Sequence, residues 1–300
     1  MSNGGGGEAG GAARDDPAAL THRSRREPAL TIAYAVYAPA GRRLPFTCVL
    51  TGGGVSGMRE TWPSARRIGA ALGCDVLVWD RRNTGASGFS LGGDGPRLPL
   101  AVRDAEDLHD LLLALRVAPA VLLGKSSGAR VSALLASRHP DAVRGLVLAP
   151  PTGGAFAVEE LCEMYYEAPK RCMRSGDADA VASAWGMRDP DAVARLRACD
   201  AREFADAMDA SSAWLRRFPR EAMLGLTDRE LAALAARGVR VQVAHSGDTA
   251  DRLHDAPSAV AVAARVGARH LHLVPGLLTG RADERLAELV ALVGEGGAKL

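Results

Sequence analysis

The sequence predicts an α/β protein, a mostly parallel, doubly wound sheet interrupted by a helical insertion. Three observations carry this. Short apolar runs of strand length alternate with helical spacing almost from end to end. The alternation stops between residues 155 and 238, where the pattern is helical throughout. And the run Val121-Leu122-Leu123-Gly124-Lys125-Ser126-Ser127-Gly128 passes from apolar strand to helix at a serine flanked by glycines.

Composition narrows the function classes. The 300 residues are 47% hydrophobic, enough for one large core with an insertion. Net charge is only +2, from 37 basic and 35 acidic residues spread along the chain, so the electrostatic footprint of nucleic-acid binding is missing. Five cysteines, at 48, 74, 162, 172 and 199, form no C-x-x-C pair and are odd in number, which argues against a disulfide framework or a zinc site and fits a reducing compartment. No apolar run approaches the roughly 18 to 20 residues of a membrane span, and the expected location is cytoplasmic.

In chain order, residues 1–28 are rich in Gly and Ala, then in Arg and Asp, and are expected to be a disordered tail without a signal-peptide core. Ile32, Tyr34, Val36 and Tyr37 mark an opening edge strand over 29–38. A buried strand over 46–50 runs into Thr51-Gly52-Gly53-Gly54, where backbone N–H groups can face a ligand or a flexible turn can form. Helical spacing over 66–72, a strand over 76–80, a polar turn over 81–88 and a helix over 101–115 then lead to the strand before Ser126. Val131, Leu134, Leu135 and Arg138 continue at helical spacing, and a further strand covers 143–148.

The insertion holds seven of the chain's thirteen aromatic residues: Phe156, Tyr165, Tyr166, Trp185, Phe204, Trp214 and Phe218. They serve as packing against the main domain, as the wall of an apolar pocket, or both. After it come a strand over 239–244, a helix over 256–266, a last strand over 270–275 and a closing helix over 281–293. The domain reading is a core over 29–154 and 239–293, a helical cap over 155–238 and a flexible tail over 294–300.

Three stretches in this order resemble the α/β-hydrolase fold superfamily: Thr51-Gly52-Gly53-Gly54, like its His-Gly oxyanion loop with Thr in place of His; Asp80-Arg81-Arg82-Asn83-Thr84-Gly85-Ala86-Ser87, like its D-x-R-G-x-G-x-S segment; and Gly124 to Gly128, a G-x-S-x-G nucleophile elbow. The resemblance implies Ser126 as nucleophile, an oxyanion hole from the backbone N–H groups of Gly53 and Ser127, and a triad in the order Ser, acid, His. The acid then falls in the loop after the 239–244 strand, where Asp251, in a D-x-x-H segment with His254, is the choice and Asp248 the runner-up; an aspartate there could equally cap the next helix.

The histidine departs from the pattern. Relatives place it after the last strand, where this chain reads Pro275-Gly276-Leu277-Leu278-Thr279-Gly280 and offers no imidazole. Of the seven histidines only His245 and His254 sit in a loop at the sheet's C-terminal edge, which makes His254 the substitute candidate. The expected function is serine-dependent hydrolysis of a small to medium apolar ester, thioester or lactone, with Lys125 directed away from the site. The alternatives are a non-hydrolytic enzyme (lyase, cyclase or decarboxylase) or a catalytically silent ligand-binding protein on the same fold. No cofactor, metal, nucleic acid or membrane partner is expected, and the chain is expected to be a monomer or homodimer.

Overall fold

The computed structural model describes residues 16–41, 43–92, 98–268, 270–277 and 281–295. Eight strands form one sheet: β1 (Leu20–Arg23), β2 (Thr31–Tyr37), β3 (Thr47–Thr51), β4 (Asp75–Trp79), β5 (Ala120–Gly124), β6 (Val143–Leu148), β7 (Arg240–His245) and β8 (Leu271–Leu273). Their spatial order is β1-β2-β4-β3-β5-β6-β7-β8, antiparallel at the first two pairings and parallel from β4 onward. The order reverses around β3, so the ends of β3 and β5 lie side by side, with Thr51 paired to Gly124. Crevices of this kind at strand C-termini are where open α/β sheets hold their ligands.

All five residues of β3 and of β5 are buried, as expected of strands covered on both faces. Side chains alternate across the sheet. Leu122 and Leu146 face one side, where α2 (Leu100–Leu115) and α3 (Ser127–Arg138) supply Leu108, Leu111, Leu112, Leu134 and Leu135. Val121, Leu123 and Val147 face the other, against Ile68 of α1 (Met58–Leu72) and Leu286, Leu289 and Val290 of the closing helix at Asp283–Gly294.

After β6 the chain leaves the sheet through α4 (Gly154–Cys162), a π-helical turn at Glu163–Glu167, α5 (Ala168–Arg174), α6 (Ala178–Ala184), α7 (Pro190–Ala198) and α8 (Ala201–Leu215). These helices have a separate apolar centre that includes Phe204, Met208, Trp185, Leu196 and Leu215. The last helix of the expected insertion, α9 (Asp228–Ala236), is different: Leu231 and Leu234 belong to the core of the main sheet. Helix α10 (Ala256–Arg265) and then α11, the closing helix, complete the core.

Three expectations need correction. Residues 20–28 are ordered, because β1 pairs with β2 and because Glu27 accepts from Arg82 and Arg103 at 3.1 Å and from the Ser90 hydroxyl at 2.5 Å; a polar, charged stretch gives no apolar signal of this anchoring. Gly294, expected to open a flexible tail over 294–300, instead closes α11, while residues 1–15 and 296–300 lie outside the described residues. Helix α1 begins at Met58, eight residues before the expected start. Its first turn is held from outside, by Asp80 Oδ1 accepting from Met58 N at 2.6 Å, and by Glu60 accepting from Gly57 N at 2.9 Å.

Burial pushes the Glu27 carboxyl up, but Ser90, Arg82 and Arg103 overcome this and hold it below the usual carboxylate value. A depressed folded-state pKa gives stability that is present above the unfolded value and lost as pH falls. Glu27→Gln is therefore expected to lower stability by about 1–3 kcal/mol at pH 7. The difference from wild type should shrink as pH falls through the carboxylate range, checked by denaturant unfolding at several pH values; a pH-independent difference would refute the ionic origin.

Candidate active site

Ser126 stands between β5 and α3 with φ 55° and ψ −120°, one of three positive-φ non-glycine residues among those described. That backbone is strained for a residue with a Cβ, and its neighbours make it possible. A Cβ on Gly128 would come within 2.2 Å of Thr51 O, and one on Gly53 within 2.6 Å of Ser126 Cβ. The bare α-carbons let the glycine loop after β3 press against the elbow. Backbone hydrogen bonds fix it there, from Lys125 N to Thr51 O (3.0 Å) and from Ser126 N to Pro150 O (3.1 Å).

The loop after β7 folds inward onto the elbow. His254 is buried, with Nε2 2.7 Å from Ser126 Oγ and Nδ1 2.8 Å from Asp251 Oδ2. An ionised carboxylate only accepts, so the imidazole carries its proton on Nδ1 and presents a bare Nε2 to the serine hydroxyl. The other carboxylate oxygen, Oδ1, accepts from the N–H groups of Leu253 and His254, both at 3.2 Å. Asp251 thus shapes the turn that carries the histidine and orients its ring. Asp248, the runner-up, is exposed and accepts from Ala250 N at 2.9 Å; the next helix is capped by Asp255, which accepts from Ser258 N at 2.8 Å.

Other histidines are engaged elsewhere: His22 with Asp110 and His272 with Gln242, while His245 Nδ1 accepts from Gly247 N. Positions 278–280, part of the usual histidine loop, lie outside the described residues. Among the described residues, Glu106, His109 and His139 have ligand-type atoms within 4.8 Å of one another. Glu106 is already bonded to Arg26 (2.7 Å), Arg138 (2.5 Å) and His139 (3.1 Å), and the two rings stack at 3.7 Å. His139 follows the far end of α3, about 18 Å from Ser126 at 1.5 Å per residue, so this group has no part in the elbow.

The D-x-R-x-x-G-x-S segment braces the site. Asp80 accepts from Met58 N and Ala86 N (2.6 and 2.7 Å), and the Ser87 hydroxyl donates to Asp80 O at 2.6 Å. Arg81 donates to Gly54 O and, at 3.2 Å, to Ser127 Oγ, clamping the glycine loop to the residue after the elbow serine. Arg188 of the cap reaches Asp80 at 3.5 Å.

Two clefts are lined by successive residues of the same loops. One has Gly52, Gly53, Lys125, Ser126 and His254 on its wall, with Ser64 and Arg67 from α1. The other, smaller and open to solvent on one side, is lined by Gly54, Arg81, Asp104, Ser127, Arg130, Tyr165, Tyr166 and Trp185. Of the aromatics in the inserted helices, Tyr165, Tyr166 and Trp185 line this cleft beside charged groups, while Phe204 stacks on Trp185 at 5.5 Å and Trp214 meets Phe218 edge-on at 5.2 Å, packing among the inserted helices themselves. The sequence offers Arg81 only as a member of the Asp80–Ser87 segment and gives no signal that singles out Asp104 or Arg130. The two pocket tyrosines sit in the π-helical turn, a distortion common at functional sites.

A model of the α/β-hydrolase fold matches residues 49–195. No curated protein sequence matches the chain. Solved structures do: a hydrolase from Pseudomonas aeruginosa PA01 at 19% identity (TM-score 0.59, 93% of this chain and 99% of that one), and an α/β hydrolase from Sphaerobacter thermophilus at 20% (0.59, 91% and 99%). A thermophilic esterase from Thermogutta terrifontis is similar at 19% (0.58, 92% and 99%). The fold of the chain is that of the α/β hydrolases.

Lys125, next to the serine, points into an ion pair, 3.6 Å from the buried carboxylate of Asp283, which also holds Arg67 at 2.7 Å. Burial pulls the Lys125 pKa down and Asp283 partly restores it. Asp283→Ala strands this buried cation and should cost about 3–5 kcal/mol. The double variant Lys125→Met, Asp283→Leu should recover much of that loss in denaturant unfolding, whereas additive losses would refute the coupling.

Proposed function

We propose that this chain is a serine hydrolase acting on a small to medium, largely apolar carboxylic ester, thioester or lactone, with Ser126, His254 and Asp251 as its catalytic triad. The observation that carries the reading is the continuous hydrogen-bonded chain from Asp251 through His254 to Ser126 Oγ. It supplies the base whose apparent absence after the last strand was the motive for a non-hydrolytic reading.

In this mechanism His254 Nε2 takes the hydroxyl proton as Oγ attacks the substrate carbonyl carbon, and Asp251 stabilises the resulting imidazolium. The backbone N–H groups of Ser127 and Gly53 receive the oxyanion, each donor contributing about 3–4 kcal/mol in comparable sites. Both residues lie at the elbow, and Ser127 opens α3, whose N-terminal dipole favours negative charge. Collapse of the tetrahedral intermediate expels the alcohol or thiol, which takes the proton from Nε2. Water then attacks the acyl carbon, giving its proton to Nε2; the acid leaves and Ser126 is restored.

The test is turnover of 4-nitrophenyl butyrate together with labelling by a fluorophosphonate. Ser126→Ala and His254→Ala are each expected to lower kcat by about 10⁴-fold or more, with the double variant scarcely worse than either alone. Asp251→Asn should cost less than either. Labelling should occur at Ser126 and disappear in the Ser126→Ala protein. Unchanged turnover in His254→Ala would overturn the triad, and an unlabelled wild type would overturn the serine mechanism itself.

A further inference from the structure

Arg130 is the first buried charge in α3, four residues after the elbow serine, and it lines the smaller cleft, beside Ser127, while being only 3% exposed. Its Nε and Nη1 atoms have no hydrogen-bond partner among the described residues. Burying unpaired guanidinium N–H groups is costly, and proteins rarely leave them so without a use. The side chain is also specifically accommodated. A Cβ on Gly225, which has φ +93°, would come within 2.9 Å of both Arg130 Cδ and the Trp214 ring, so a bare α-carbon makes room for the arginine stem.

The charges around it do not cancel. Of the charged residues on this cleft, Arg82 is spent on Asp107, with bonds of 2.7 and 2.8 Å. That leaves Arg81 and Arg130 against Asp104, whose carboxyl stands 4.0 Å from Arg81. The balance is one uncompensated positive charge on the wall of this cleft. Burial, opposed by Arg81, pushes the Asp104 carboxyl up to about 6, and burial pushes the Tyr166 hydroxyl up to about 12, so near neutrality Tyr166 stays a neutral hydrogen-bonding group.

We infer that Arg130, with Arg81, forms a recognition site for a carboxylate carried by the substrate, so that the enzyme takes esters whose apolar body ends in an anionic group. This rests on the serine-hydrolase reading and narrows its substrate class. Arg130 lies one helical turn from Ser126, about 6 Å along the axis, and its N–H donates back to Ser126 O at 3.4 Å. The cleft that Arg130 lines begins at Gly54 and Ser127, next along the chain from Gly53 and Ser126 on the wall of the other cleft, so the proposed substrate joins its carboxylate to the scissile carbonyl by a short linker, as in the half-ester of a short dicarboxylic acid. A monoanion matches the single excess charge, whereas a phosphate dianion exceeds it.

The test compares mono-4-nitrophenyl glutarate with its methyl ester, a pair of the same chain length that differ in charge. Wild type is expected to prefer the free acid by about 10- to 100-fold in kcat/KM, chiefly through KM. In Arg130→Met this preference should collapse to within about threefold, the size of ordinary packing differences. Should that variant fold poorly by circular dichroism, Arg130→Lys, which keeps the charge and loses the fork of donors, should show a reduced preference. Glutarate should bind wild type in calorimetry, with binding lost in Arg130→Met. A wild type that does not prefer the acid, glutarate binding unchanged in Arg130→Met, or tighter binding of inorganic phosphate than of glutarate would each overturn the carboxylate site. Failure to hydrolyse either ester while glutarate still binds through Arg130 would instead overturn the hydrolase reading and leave the site standing.

Discussion

The backbone at Ser126 is held at φ 55° and ψ −120°, a conformation that costs on the order of 1–3 kcal/mol for a residue with a Cβ. It persists because the surrounding structure over-determines it. The sheet order sets β3 beside β5, Thr51 against Gly124, so the loop after β3 must cross directly over the turn into α3. That crossing has no room for side chains on Gly53 or Gly128. The same close approach puts the N–H groups of Gly53 and Ser127, the serine hydroxyl and the positive end of α3 within one small volume. Topology and two bare α-carbons thus do at once what placing four separate groups would require.

The second half of the site is unusually local. Acid and imidazole come from a single loop after β7, three residues apart, and Asp251 spends one oxygen on the turn's backbone and the other on the ring. Folding of the turn and orientation of the imidazole are therefore one event. With the proposed triad, the loop after the last strand, where the superfamily pattern places its histidine, has no such duty, and Leu277 there is fully buried in the sheet's core.

Legibility in the sequence followed the range of the interactions. The elbow could be read because its constraint is on the backbone and leaves glycines at fixed spacing. The strands could be read because burial on both faces gives continuous apolar runs, and the D-x-x-H pair because it is local. Strand β1 could not, since its anchors are His22 and Arg25 on Asp110, and Glu27 on distant arginines, contacts that look like a polar tail in one dimension. Nor could the start of α1, which Asp80 holds from 22 residues away in the chain. Which of Asp248 and Asp251 stands beside His254 needed the fold of a loop, and the place of α9 needed to know that Leu231 and Leu234 pack on the sheet and not with the other inserted helices.

The buried charges beside the elbow obey two different rules, and the contrast is informative. Arg82 meets Asp107 in a two-point pair and Glu27 at a third, which is how a guanidinium is made tolerable in a core. Glu106, Asp110 and Asp283 are likewise each matched by cations. Arg130 is equally buried and only one turn from the serine, yet two of its nitrogens stay without acceptors. A chain that neutralises its other buried charges so thoroughly could have met this one with a further carboxylate or replaced it by an aliphatic residue. Departures from local consistency collect where a protein meets its ligand, and here the departure lies on the wall of the cleft that the cap tyrosines complete. On the proposed reading, the elbow sets where a bond is broken and the unmatched charge beside it sets what the substrate must carry to arrive there in register.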